Sequence, residues 1–524
     1  MRGGKTSTDV ILLNGHHVEV RKNLWQALWH LRARNFCVSD LAKDHKFTEK
    51  NTKWIWIDAV CINQSTTTER NHQVLLMGRI YKTAVEVFAW LGCLSDLPFG
   101  SGVHTAVYQL EALTEYKDPK VWEERILRYG LHNFVHLFTL QYWQRMWILQ
   151  EIGLASKITL LFDTMSADWA GFEHLRHTLH WTKHLEFYTS VWVRKETSTF
   201  WGLLIASQVF RLAFHRLDAS SNTLEELIYT GQFSVCADPR DKVYAVLGLA
   251  TDCQNGELEI DYSKSLFEVY SDVMNFCRKT YRDTKQSERL LRLSTILQAS
   301  FDRAGELNDG AEAWLACSNV PTKTNLFKLR GLRTGIIAQL RAPVHSGTLL
   351  NKVSRRPPHL GMSPDPLSKQ LLELSKAYPI TSKSSFATQV SFPFKLRPLP
   401  ENDTTKQSKI FRPSKNETIH TCLPFTTDDN RTGYAPPNAQ LRDTICQFPD
   451  SEIVAVLREQ QDGRYEIIGR AFVENASSSG FGPVVGGFWR EIGFEVDVVT
   501  LQQLTAATDP VLIMPGRPLT SRQW

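Results

Sequence analysis

The chain has no large surplus of charge of either sign. Its 524 residues include 60 Lys and Arg against 55 Asp and Glu, a formal +5 at pH 7. No arginine-rich run and no zinc-finger spacing is present, so a dedicated nucleic-acid binder is not expected. The nine cysteines, at 37, 61, 93, 236, 253, 277, 317, 422 and 446, are odd in number and form no CxxC pair. That argues against a disulfide framework and for free thiols in a reducing compartment, the cytoplasm. The start, MRGGKTSTDV, lacks the apolar core of a secretory signal. The greasiest stretch, 200–210, contains Ser207 and Gln208 and is cut by Arg211, too short to span a bilayer. A GxxxxGK(S/T) phosphate loop and a GxSxG elbow are also missing. The glycine-rich GFGPVVGG at 480–487 has its third glycine at the wrong offset and Pro483 where a helix would open, so it reads as a turn.

What the chain does have is alternation of strand and helix patterns. DVILLNGHHVEV (9–20) is two apolar runs around Asn14-Gly15, the strongest short hairpin signal. Leu24, Leu28 and Leu31 then mark one helical stripe. WIWIDAVCINQ (54–64) opens like a buried strand and ends on Asp58, Cys61, Asn63 and Gln64. Thr66 and Glu69 have capping-box spacing, which predicts a helix from Thr67 with Val74, Met77 and Tyr81 inward. VEVFAWLG (85–92) reads as a second strand, 103–139 as helical, QYWQRMWILQEIGLA (141–155) as a helix and ITLLF (158–162) as a third strand. Such alternation implies a parallel sheet covered on both faces, with its site at the carboxyl ends of the strands. Residues 166–300 read as helical. Asp238 and Pro239 open one helix, and Leu266, Val269, Tyr270, Val273 and Phe276 line the inner face of another. Residues 301–382 read as a mixed connector. Residues 383–446, rich in Ser, Thr, Lys, Pro and Asn, read as a flexible linker. A β-rich tail follows over 447–524, with a hairpin at 452–473 turning on Asp462-Gly463.

Several side chains are candidates for chemistry, each with a plainer alternative. His177, His180 and His184 share helical spacing, yet no Cys or well-placed carboxylate completes a metal shell, so no metal is expected. HNFVH (132–136) lacks the Glu of HExxH. Cys61 has His72 in the next element as a base, but a buried structural thiol at a strand end is the plainer reading. Asp58 either caps backbone N–H groups or faces a ligand, while Asn63 and Gln64 tie down the loop. Glu151 stands one helical turn after Trp147. Desolvation beside an indole is how an acid/base or cation-stabilising carboxylate is prepared, and a solvated Glu beside a half-buried Trp is the alternative.

Taken together, WIWIDAVCINQ, ERNHQVLLMGRIYKTAVEVFAWLG, RMWILQEIGLA, DPRDKVYAVLGLA and DYSKSLFEVYSDV resemble fungal heterokaryon-incompatibility (HET) domain proteins, in the family's order, over residues 8–280. The resemblance implies a role in non-self recognition between fused hyphae, with the HET domain, residues 1–165, triggering programmed cell death. HET domains are in turn similar to TIR domains. WIWIDAV resembles the second TIR strand, and RMWILQEI resembles the TIR helix whose Glu serves NAD+ cleavage. That analogy makes Glu151 the catalytic candidate, with Asp58, Cys61, Asn63, Gln64, Arg145 and Trp147 as pocket and loop residues. It implies a flavodoxin- or TIR-like parallel sheet and a TIR-like NAD+ glycohydrolase, with NAD+ as substrate and no bound cofactor. The partners implied are other incompatibility proteins or a second copy of the chain. The family's usual opening strand, resembling YxALSYxWG, is missing before the hairpin. The expectation that follows is an incomplete sheet, low stability and an N-truncated or inactive copy. A non-enzymatic, self-associating signalling module is the remaining alternative.

Overall fold

A computed structural model describes residues 8–33, 54–97, 100–115, 131–175, 222–283, 285–301, 304–317, 326–345, 421–449, 451, 453–461, 463–473 and 490–506. The chain divides into two compact units. The first comprises Met1–Phe327, Met362–Ser375 and Asp497–Thr508, and the second Lys328–Gly361, Lys376–Val496 and Asp509–Trp524. The fold is mixed α/β.

The first unit opens on the hairpin β1 (Thr8–Leu13) and β2 (His16–Arg21), paired antiparallel from Leu13↔His16. Asn14 and Gly15 turn it at φ of 50° and 83°, the left-handed conformation that this dipeptide accepts at low cost. Helix α1 (Lys22–Ala33) follows at once. Its Leu24, Leu28 and Leu31 are half-buried, while Ala27 and His30 form the buried ridge. The His30 ring lies 5.1 Å from Trp90 and its Nε2 is 3.5 Å from the Cys93 Sγ.

Residues 54–57 correct the sequence reading. They are extended but belong to no sheet among the described residues, and Trp54 is 96% exposed. The Ile57 carbonyl accepts the Val60 and Cys61 N–H groups at 3.0 and 2.8 Å, which turns the chain into the short helix α2 (Asp58–Cys61). A β-prone run becomes a strand only where a pleated neighbour receives it. Here Trp56 meets the Tyr81 ring edge-on at 5.8 Å instead. Tyr81 ends the inner stripe of α3 (Thr67–Thr83), whose Val74 and Met77 are buried as expected. The capping box does not close, because Glu69 Oε1 accepts the Asn63 N–H at 3.1 Å rather than capping its own helix.

The sheet of this unit has the order β3 (Val87–Trp90), β4 (Ile158–Phe162), β5 (Met165–Asp168). β3 and β4 run parallel from Val87↔Ile158, as the alternating pattern predicts. β5 folds back antiparallel on β4 through Asp163 at φ 50°, so the described sheet is mixed and not the parallel flavodoxin- or TIR-like one expected. Helices α4 (Gly100–Glu115) and α5 (Leu131–Phe138) pack beside it around Phe134, Phe138, Trp143, Trp169 and Phe172. The helix expected over 141–155 is broken. A 3-10 turn (Gln141–Gln144) gives way to a bridge between Arg145 and Val235, and only then does α6 (Ile148–Leu154) begin.

The helical region holds α7 (Leu224–Gly231), α8 (Asp241–Leu247), α9 (Leu266–Thr280), α10 (Gln286–Phe301), α11 (Ala304–Cys317) and, from the far end of the chain, α12 (Val498–Thr505). Three of its helices start on caps that the sequence supplies, whereas α8 starts at Asp241, two residues past the expected Asp238-Pro239 opening, after Arg240 and without a side-chain cap. Thr223 accepts from the Glu226 N–H, Ser265 and Glu268 form a reciprocal capping box, and Asp497 accepts from the Thr500 N–H. The five predicted inward residues of α9 are all buried. The histidines at 177, 180 and 184, the polar stretch 36–53 and GFGPVVGG lie outside the described residues.

The second unit is antiparallel β. From β6 (Phe327–Leu340), pairing runs through β10 (Thr444–Gln447), β11 (Val454–Glu459), β12 (Tyr465–Val473), β9 (Thr432–Ala435) and β8 (Thr421–Thr427) and returns to β6. One half of β6 meets β10 at Ile336↔Thr444 and the other meets β8 at Ile337↔Thr427, so the ring closes. Closure leaves those strands no open ladder. β7 (Val344–His345) and β13 (Arg490–Val496) add to β8 and β6. Ile337, Phe425, Ile445, Val454, Val456 and Ile468 fill the interior. Residues 421–446, grouped with the linker by composition, therefore carry three strands, because alternate apolar residues among polar ones suffice for a one-sided barrel wall. The expected hairpin pairs Val454–Glu459 with Tyr465–Ala471 and is closed by Gln460 and Arg464 around Gly463 at φ 75°, while Glu452 and Asp462 lie outside the described residues.

Candidate functional site

Glu151 lies in the first turn of α6, and its side chain is only 12% exposed. Trp147 precedes it by one turn and its carbonyl accepts the Glu151 N–H at 3.3 Å, so the predicted i, i+4 spacing is present. The carboxylate has two partners. Tyr142 donates its hydroxyl to Oε2 at 3.0 Å, and Arg145 Nη2 stands 3.5 Å from Oε1. Burial raises the Glu151 pKa above the usual carboxylate value. The Arg145 charge opposes the rise, Asp58 adds to it, and the Tyr142 hydrogen bond opposes it. Tyr142 and Tyr81 are both pushed well up, first by burial and then by the charge of Glu151. The Arg145 guanidinium is raised chiefly by Glu151, with Asp58 and both tyrosines acting the same way.

Glu151, Arg145 and Asp58 thus share one electrostatic neighbourhood with Tyr81 and Tyr142, and Trp56 leans on Tyr81 at its margin. The sequence reading had the first three and missed the phenols. Tyr142 was hidden because it was read as one residue of a long helix, whereas the break at Arg145 turns it back toward Glu151. The rest of the loop is self-satisfied. Asp58 Oδ1 accepts the Ala59 N–H at 2.8 Å. Asn63 Oδ1 accepts the Ser65 N–H at 3.1 Å and the Ser65 hydroxyl at 2.6 Å, and Asn63 Nδ2 donates to Thr66 Oγ1 at 3.1 Å. Gln64 is exposed in the turn. Cys61 is also exposed rather than a buried thiol, its Sγ 3.5 Å from the Ile57 N–H, because it sits on the open side of α2. The Trp147 side chain hydrogen-bonds Asp241.

A second network, which spacing alone did not reveal, borders the first. Arg70 on α3 donates to Asp238 Oδ2 at 2.9 Å and lies 3.3 Å above the Tyr262 ring. Arg240 grips the same carboxylate through Nε and Nη2 at 2.9 and 3.0 Å, and it reaches the carbonyls of Tyr262 and Lys264. The Tyr262 hydroxyl donates to buried Asp241 at 2.6 Å. Burial raises the Asp241 carboxyl, while donation from Tyr262 and the Trp147 indole restrains it. Asn71 completes the tie, donating to Asp261 at 3.0 Å and accepting the Tyr262 N–H at 3.0 Å. The residues come from ERN, DPRDK and DYS, three blocks far apart in the chain of which only the last holds an aromatic residue, so no spacing within one block marked the network.

A carboxylate poised in this way can hold or release a proton, or stand as an anion against a cation, once Arg145, itself 47% exposed, swings aside. Among the described residues no three His, Cys, Asp or Glu side chains gather as a metal site.

Residues 3–151 match the family model "Heterokaryon incompatibility protein (HET)". The chain carries a HET domain. The match ends on Glu151, so the HET domain contains the whole of the first cluster, whereas Asp238, Asp241 and Tyr262 lie beyond it. The chain is also 24% identical, over 313 residues, to "Heterokaryon incompatibility protein 6, OR allele" of Neurospora crassa. That alignment covers 50% of this chain and 44% of the relative, so the likeness spans less than half of that protein. No solved structure matches. No helix among the described residues is long and apolar enough to cross a membrane.

Proposed function

We propose that the chain acts in fungal non-self recognition as a heterokaryon incompatibility protein, its HET domain triggering cell death from the cytoplasm. We propose further that Glu151 is the carboxylate of an NAD+-cleaving site. The observation that carries this reading is a buried Glu151 inside the HET match, its carboxyl raised by burial and sharing one electrostatic neighbourhood with Asp58, Tyr81 and Tyr142. Breaking the nicotinamide–ribose bond develops positive charge on the ribose, and a nearby anion stabilises it. The choice of NAD+ comes from the distant likeness to TIR domains. Arg145 releases the carboxylate when a substrate enters.

One observation favours a second reading. Both oxygens of Glu151 already have partners, Arg145 and Tyr142, as in a purely structural ion pair. In that case the domain signals by association with a second copy or another incompatibility protein, without catalysis. Inducible expression in a fungal host decides between them, with viability and NAD+ followed together. Under the catalytic reading, Glu151→Ala abolishes both killing and NAD+ loss. If killing by Glu151→Ala equals that of the wild type, the enzymatic reading is lost.

A further inference from the structure

Arg145, the partner of Glu151, is not held by its own helix. The residues on either side of it are clamped to Val235. The Met146 N–H donates to the Val235 carbonyl at 2.9 Å, and the Val235 N–H donates to the Gln144 carbonyl at 2.5 Å. This pair of bonds is the isolated parallel bridge between Arg145 and Val235. It interrupts the helix and so turns Tyr142 and Arg145 together onto Glu151.

The clamp has its own support. Val235 follows a turn at the end of α7, in which the Ser234 N–H donates to the Gly231 carbonyl at 2.9 Å. The carbonyls of Gly231, Gln232 and Ser234 all converge on one ammonium, Lys242 Nζ, at 3.2 and 2.8 Å for the first two. Lys242 is 6% exposed and rises from α8 beneath the turn. An ammonium carries three donors and no acceptor, so three carbonyls are the set that satisfies it. A buried ammonium so held fixes the three carbonyls at once, and with them the strand-like posture of Val235.

We propose that Lys242 is a positioning residue for the Glu151 site, setting Arg145 and Tyr142 against Glu151 through the 231–235 turn and the Val235 clamp. The site thereby depends on a residue about ninety positions beyond the end of the HET match, and the helical region is a working part of it rather than an appendage. The cellular part of this inference rests on the reading given under Proposed function, whereas the geometric part does not.

The test uses the full chain with Lys242→Met, which removes all three donors, and Lys242→Gln, which keeps two. Hydrogen exchange of the Met146 and Val235 amides reports the clamp directly. A control, Thr505→Val on α12, lowers stability away from the clamp. The expected result is exchange at these two amides at least about tenfold faster in Lys242→Met than in the control at matched global stability. Lys242→Gln falls between. A second readout is the coupling between Arg145→Met and Glu151→Gln in a double-mutant cycle, expected in the wild-type background and lost in Lys242→Met. Unchanged amide protection overturns the proposal, and so does coupling that is absent from the wild type or survives in Lys242→Met. If the wild type neither kills nor consumes NAD+, the functional reading fails, while the exchange and coupling results still decide the role of Lys242.

Discussion

Arg70→Ala measures how firmly the HET domain is fastened to the helical region that follows it. The Arg70 guanidinium donates to Asp238 at 2.9 Å and lies 3.3 Å above the Tyr262 ring. A charge-assisted hydrogen bond contributes about 1.5–3 kcal/mol net, and a cation over a tyrosine face about 0.5–2 kcal/mol. Two features hold the sum down. The Arg70 side chain is 25% exposed, and Arg240 still donates to both Asp238 oxygens after the substitution, so no buried charge is orphaned. The expected loss is therefore about 2–3 kcal/mol, or roughly 4–12 °C in the midpoint of a unit of this size. Arg70→Lys keeps the charge but loses the fork and the flat stack, and is expected to cost about half as much. The pH dependence follows from Asp238. Burial alone pushes its carboxyl up, but the hydrogen bonds from Arg240 and Arg70 prevail and leave it lowered. Its stabilisation is thus complete above the usual carboxylate range and is lost as pH falls through the lower folded value. Thermal unfolding followed by circular dichroism, at neutral pH and at about pH 3, gives both quantities. A loss under about 0.5 kcal/mol at neutral pH, or an equal loss at both pH values, refutes the reasoning.

Glu151→Gln is expected to stabilise the protein at neutral pH. The Glu151 carboxyl is raised in the fold by burial first, so its contribution is favourable below the unfolded value and lost as pH rises through the folded one. The gain in midpoint should fade in acid, and a gain independent of pH would contradict the burial argument. A maleimide titration at neutral pH should label exposed Cys61 before Cys93, which burial pushes to about 11, and Cys446, which burial pushes to about 12; equal labelling rates in the native state would count against this. Gly433→Ala would drive a Cβ into the Phe472 carbonyl and the Phe425 ring, so the second unit should lose about 1–3 kcal/mol in denaturant unfolding. Thr505→Val removes an acceptor that Gln298 Nε2 reaches at 2.6 Å and a partner that Ser294 Oγ reaches at 2.5 Å. Its expected cost is about 1–3 kcal/mol, read from the same curves, because both groups stay buried.

Local rules carried much of the architecture. The hairpin turn at Asn14-Gly15, the α3 start at Thr67, strands β3 and β4 and the buried face of α9 each depend on neighbours within one or two turns, and each formed as read. The HET likeness was carried by short blocks; those up to RMWILQE fall within the matched residues 3–151, whereas DPRDKVYAVLGLA and DYSKSLFEVYSDV lie beyond the match. The errors came where a partner distant in the chain decided the outcome. Residues 54–57 have strand composition, but Trp56 found the Tyr81 ring and no ladder received the backbone. The 141–155 stretch has helical periodicity, yet Val235 competes successfully for the backbone groups around Arg145. Linker-like 421–446 became barrel wall because β6 and β12 supplied strands for it to join.

For the site, the sequence by itself determined the presence of Glu151, Asp58 and Arg145 and the one-turn spacing of Trp147 and Glu151. A helix fixes such neighbours by its geometry alone. Only the tertiary structure decided that the Trp147 side chain hydrogen-bonds Asp241, that Tyr142 takes up the Glu151 carboxylate, and that Lys242 underlies the turn that brings Arg145 to it. Those outcomes depend on burial and on hydrogen-bond partners 9 to more than 90 positions away, and both are properties of the packed chain.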